Sequence, residues 1–142
     1  MLMETTTEQE YSVRIQSLAI AFLLLQAAGV AVWWAILLLF PDARQIFTAP
    51  NAPDSTLLAF IGADMIMIVA GSLVAAFGLA QKQTWAWPVL CVHTGAVVYA
   101  AVYALTLPLV SGGGWLGALL MVPSLVVLPM LVWLLRPRAE GT

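Results

Sequence analysis

The stretch Ile15–Phe40, IQSLAIAFLLLQAAGVAVWWAILLLF, decides the fold class. It contains no charged residue, and its only strongly polar side chains are Gln16, Ser17 and Gln26. A helix rises about 1.5 Å per residue, so a run of this length exceeds the roughly 30 Å hydrocarbon thickness of a bilayer. Three further runs have the same character: about 57–80, about 86–110 and about 115–135. Lipid offers backbone groups no water to bond, so each run is expected to be helical. A barrel would need alternating strands, and these runs are continuously apolar. The expected fold is all-α: a polytopic membrane protein built as an antiparallel bundle of four transmembrane helices.

Composition agrees with this reading. Of 142 residues, 63% are hydrophobic and 8% are charged. Twelve formal charges cannot make the charged shell that a soluble domain of this size requires. Cys91 is the single cysteine, which excludes a disulfide scaffold and a cysteine-based zinc site. Five Lys+Arg and a net charge of −2 exclude nucleic acid as a partner.

The breakers divide the chain where the apolar runs do. Pro41 follows the first run, and Pro50 and Pro53 punctuate the first loop. Asp54-Ser55 is the expected N-cap of the second helix. Gln81–Thr84 and Ser111–Gly114 form short turns, and Pro88 falls in the first turns of the third helix, where a missing N–H does little harm. Pro123 and Pro129 are expected to kink or loosen the fourth helix. In the first loop, DARQIFT (Asp42–Thr48) reads as a short interfacial helix, a re-entrant stretch or a plain loop with Ile46 and Phe47 as anchors.

Basic residues set the expected orientation. Arg14, Lys82, Arg136 and Arg138 flank one side and Arg44 the other, which places both termini in the cytoplasm. The segment before the first helix carries Glu4, Glu8 and Glu10, so it is not a signal peptide. Met1–Glu10 is expected to be a frayed tail. No linker or repeat divides the chain, which reads as one membrane domain in the cytoplasmic (inner) membrane.

Ionisable groups at membrane depth are costly and point to function or to a specific polar contact. There are two, Asp64 and His93. The helical rise puts Asp64 roughly 10 Å below the outer boundary and His93 roughly 8 Å above the inner one. A direct Asp–His dyad is therefore not expected. Matching depths across antiparallel helices gives Asp64 a different set of neighbours: Trp33, Tyr99, Tyr103 and Ser124, with Trp34 at the same level. Tyr99 and Tyr103 share a helix face. This outer-half cluster has three readings. It holds the polar head of a lipid or quinone, it relays or bears a proton, or Asp64 bonds Tyr103 and an indole N–H and ties helices together. His93 is expected to bond Gln26, Ser72 or a backbone carbonyl as a structural polar group. Without a second His it does not form a bis-His haem or metal site.

Small residues recur at helical spacing as Gly71, Ala75 and Gly78 in the second run and as Ala96, Ala100 and Ala104 in the third. Both stripes are expected to bring helices close together. Phe22, Gln26, Gly29 and Trp33 share the face of the first helix expected to look inward. Leu23, Leu37 and Leu38 are expected to meet lipid.

Several of these stretches together carry a resemblance. The long first helix ends in Phe40-Pro41, followed by the loop IFTAPNAP (Ile46–Pro53). The second opens with FIGADM (Phe60–Met65) before GSLVAAFGLA, and the third contains HTGAVVYAAVYAL (His93–Leu105). The pattern resembles the small four-helix DoxX-like membrane proteins. The resemblance implies membrane association with redox or quinone-linked partners, and no catalytic motif carries over. Small multidrug transporters would need a glutamate in the first helix, and mercury-type carriers would need paired cysteines. The expected function is a small membrane subunit or helper, not an enzyme, that associates with a protein partner or further copies in the membrane plane. It has no cofactor of its own and binds lipid or quinone. Alternatives are a proton- or cation-coupled transporter using Asp64, or a membrane enzyme acting on a lipid or isoprenoid.

Overall fold

A computed structural model describes the backbone of residues 2–50 and 52–137 and the side chains from Glu10 onward, residue 51 aside. Arg138, counted above toward orientation, lies outside the described residues. Among the described residues, four helical elements are long and apolar enough to cross a membrane, as a multi-pass membrane protein requires. We number them α1 (Leu2–Leu39), α2 (Asp54–Ala80), α3 (Ala86–Ser111) and α4 (Trp115–Leu134).

The helix α1 is already formed at Leu2, where a frayed tail was expected. The reason is local: no Pro or Gly occurs before Gly29, so nothing stops the helix from propagating outward from the span. Pro41 opens a 3-10 turn, Pro41–Ile46, so the DARQIFT loop is partly helical. Asp54-Ser55 does not cap α2. Pro53 holds the cap position with no side-chain bond, and Asp54 accepts from Arg44 at 2.9 Å. Arg44 also donates through Nε to Leu37 O at 2.8 Å, which satisfies a carbonyl near the end of α1. Gly112 (φ 74°) and Gly114 (φ 86°) occupy the left-handed region and turn the chain between α3 and α4. Despite Pro123 and Pro129, α4 runs unbroken.

The span α2 is not uniform. It has a short α segment Asp54–Leu58, a turn, Ile61–Ala63, a π segment Asp64–Ala70, and a final α segment Gly71–Ala80. Its segments Asp64–Ala70 and Gly71–Ala80 pack on α1 and α3, whereas the part before Asp64 pairs only weakly with the other helices. The strongest pairing is α1 with α2, followed by α3 with α4 and α2 with α3, and α1 also meets α4. For description, the loop end of the bundle carries Pro41–Pro53 and Gly112–Gly114. The terminal end carries the start of α1, the end of α4 and the 81–85 turn.

The core lies toward the terminal end. Ala19, Leu23, Ile68, Ala75, Leu79, Leu90, Val97 and Leu128 form one buried cluster. Leu23 and Leu37 are fully buried instead of facing lipid, and Leu38 alone of that trio is exposed. The buried stripe of α1 is Ala19, Leu23, Ala27, Trp34 and Leu37, one position round from the face expected. A helix that is apolar on every side gives no signal for its own rotation. Close approach is real at the terminal end. A Cβ on Gly78 would lie 2.5 Å from the Trp85 ring, and one on Gly71 would lie 2.8 Å from His93 Nδ1. Gln16 Nε2 also donates to Leu79 O, and Trp87 Nε1 donates to Val132 O at 3.1 Å. These bonds tie α1 to α2 and α3 to α4.

Candidate functional site

Asp64 begins the π segment of α2. Such segments are rare and shift the ladder of backbone bonds by one residue. Trp34 Nε1 donates to Asp64 Oδ2 at 2.9 Å. The indole expected nearby is thus supplied by Trp34, not Trp33. The two are adjacent on α1 and nearly equal in depth, and only the rotation of the helix decides which one reaches α2. Oδ1 of Asp64 has no hydrogen-bond partner among the described residues. No hydrogen bond joins Tyr103 to Asp64 among them either. The Tyr103 ring instead packs on Phe60, with centroids 5.3 Å apart.

Next to Asp64 lies a cavity of about 840 Å³ toward the loop end, within the range of small-molecule sites. Trp33, Asp64, Tyr99, Tyr103 and Ser124, the five residues of the expected cluster, all line it. Gln26 lines it as well. Ala96, Ala100 and Ala104 do not bring helices together here. They face this open volume, which their short side chains leave unfilled. Tyr99 is 77% exposed and Tyr103 43%, so the cavity opens sideways toward the lipid-facing surface.

Phe47 and Phe60 complete the lining and were not among the expected site residues. For Phe47 the only signal was an apolar Ile46-Phe47 pair inside a polar loop. Its ring meets Trp33 edge-on at 5.5 Å, and Trp33 meets Trp34 edge-on at 4.8 Å. A Cβ on Gly114 would lie 3.1 Å from Phe47 O, so glycine there lets the first loop close over the third connection. Trp33 Nε1 is buried without a partner among the described residues, as is Thr94 Oγ1.

The second polar group lies deeper. His93 is 2% exposed. Its Nδ1 is 3.0 Å from Met67 O, and its Nε2 is 3.2 Å from Ser72 Oγ and 3.3 Å from Gln26 Oε1. Ser72 Oγ is 3.2 Å from the same Oε1, and Gln26 Nε2 is 3.1 Å from Ser124 Oγ. The π segment explains the first contact. Gly71 N–H reaches Ile66 O and Ile68 O and passes over Met67 O, which His93 takes up. Ser124 therefore does not bond Asp64. It belongs to the chain of bonds through Gln26, while also lining the cavity.

The donors can be counted. Met67 O only accepts, so Nδ1 carries hydrogen, and the Nε2 of a neutral ring accepts. Nε2 and Gln26 Oε1 then compete for the single Ser72 hydroxyl hydrogen. Two changes complete the network. Either the Gln26 amide turns over and donates to His93 while Ser124 donates to it, or Nε2 gains a proton. The orientation of Gln26 is thus tied to the charge on His93. Gln26 and Met67 both line the cavity and bond His93, whereas His93 and Asp64 share no direct hydrogen bond.

Among the described residues, no three His, Cys, Asp or Glu side chains come together in a way that could hold a metal. Comparison with known proteins finds no matching family model, curated protein or solved structure.

Proposed function

We propose that this chain is a small integral membrane subunit or helper that holds one amphipathic molecule, of lipid or quinone type, in its side-opening cavity. The observation that carries this reading is the cavity of about 840 Å³ with Asp64 in its wall. Its mostly apolar wall suits the body of such a molecule, and Asp64, Tyr99 and Tyr103 suit its polar head. The short connections leave almost no aqueous domain, so partners are met in the membrane plane. The DoxX-like resemblance favours a redox-linked complex as that partner. We place the protein in the cytoplasmic membrane with both termini inside, because Arg14, Lys82, Arg136 and Arg138 outnumber Arg44 on the opposite side. Gentle extraction followed by native mass spectrometry tests the proposal. The expected result is a co-purifying protein or a bound lipid-soluble molecule. A bare monomer overturns it.

A second reading is a transporter that uses Asp64 as its ion or proton site, and an Oδ1 beside a cavity with no partner among the described residues favours it. Liposome flux that is lost in Asp64→Asn supports it. An absence of flux in the unmodified protein at any pH excludes it.

A further inference from the structure

We propose that the cavity selects a positively charged head: its ligand is a lipophilic organic cation, an amine or onium group carrying apolar substituents. This rests on reading the cavity as a binding site. The argument begins with charge. Asp64 is the one acidic residue among the lining residues, and no Lys, Arg or His lines the cavity with it. Trp34 occupies Oδ2 and fixes the carboxyl group, leaving Oδ1 for a ligand. Aromatic residues gather around the same volume: Trp33, Phe47, Phe60, Tyr99 and Tyr103. Aromatic faces carry negative potential, and an aromatic enclosure around an acidic group is cation-recognition chemistry.

Within the amphipathic class proposed above, a neutral carbonyl head such as that of a quinone is the poorer match, because it needs donors. The Trp34 N–H is spent on Asp64, and the Trp33 N–H is buried. The donors that remain in the lining are the hydroxyls of Tyr99, Tyr103 and Ser124, since the Gln26 amide is given to Ser124. A cation needs no donor from the protein: it pairs with Oδ1 and packs on the rings. Pairing also offsets the high cost of two opposite charges that would otherwise stand separately at membrane depth.

The test is equilibrium dialysis of labelled tetraphenylphosphonium against the full chain in dodecylmaltoside at pH 8. Triphenylphosphine oxide and a short-chain quinone serve as neutral competitors. The expected result is saturable binding that neither neutral molecule displaces. Binding should weaken by about tenfold or more in Asp64→Asn. It should persist in Asp64→Glu and weaken by about two- to fivefold in Tyr103→Leu, whose ring sits at the exposed rim. The glutamate and tyrosine variants keep the test decisive if Asp64→Asn fails to fold. Equal binding by Asp64→Asn, or full displacement by the phosphine oxide, overturns the proposal. Saturable binding of the quinone alone overturns the cation and leaves the cavity as a binding site. No saturable binding of any probe overturns both.

Discussion

At the terminal end of the bundle, Gly71, Ala75 and Gly78 of α2 lie against His93, Trp85 and the buried core. At the loop end, Ala96, Ala100 and Ala104 of α3 face an open volume. Both stripes place small residues three or four positions apart, and both fit the same expectation of close helix contact. They differ in what lies opposite. The α2 stripe meets a tryptophan ring and an imidazole that fill the space a side chain would have taken. The α3 stripe faces the part of α2 before Asp64, which pairs only weakly with the other helices, and a π segment that redirects the chain behind it. A small residue removes bulk, and its partner decides whether the result is a contact or a cavity.

Matched enlargements at the two ends should break this comparison if it is wrong. Gly78→Val forces atoms into the Trp85 ring and Ala86 Cβ, and we expect it to destabilise the fold by about 3 kcal/mol, measured by reversible unfolding in mixed micelles. Next in size is His93→Leu. It strips Met67 O of its donor inside an apolar span, and should cost about 2 kcal/mol in the same measurement. Trp34→Phe keeps the ring buried and removes the bond to Asp64. A loss of about 1 kcal/mol is expected, with Asp64 then free to turn further into the cavity. The smallest effect should come from Ala100→Leu. It places extra carbons in empty space, so stability should stay within about 0.5 kcal/mol while binding of any cavity ligand falls sharply. If Ala100→Leu were as damaging as Gly78→Val, the loop end would be packed and the comparison would fail.

The two polar clusters sharpen the same point. Depth along each helix follows from a fixed rise per residue, so the sequence placed Trp33, Trp34, Tyr103 and Ser124 near the level of Asp64. Depth is one coordinate, and contact also needs the rotation of each helix. That second coordinate gave Asp64 the indole of Trp34, left Trp33 between two rings, and sent Ser124 to Gln26. His93 lies with Ser72, Gln26 and a backbone carbonyl, the three partners open to it from sequence, and here polar scarcity helped. Few other groups near that depth can bond an imidazole. The π segment had no visible precursor in DMIMIVA, because backbone bonding there answers to the packing of α1 and α3 around it.

By itself, the sequence determined the class and the partition of this protein. Uninterrupted apolar runs of spanning length force helices in lipid, and Pro41, Pro53, Gly112 and Gly114 say where they end. It also reduced the chemistry to a short roster, since each polar group inside an apolar span stands out. Only the tertiary structure decided which faces turn inward, as in the burial of Leu23 and Leu37 and the hollow beside Ala100. The physical reason is the near-uniform hydrophobicity of the four spans. In a soluble helix, water marks the outer face through polar residues. Here lipid and protein interior suit the same side chains, and the packing of one helix on another sets the rotation.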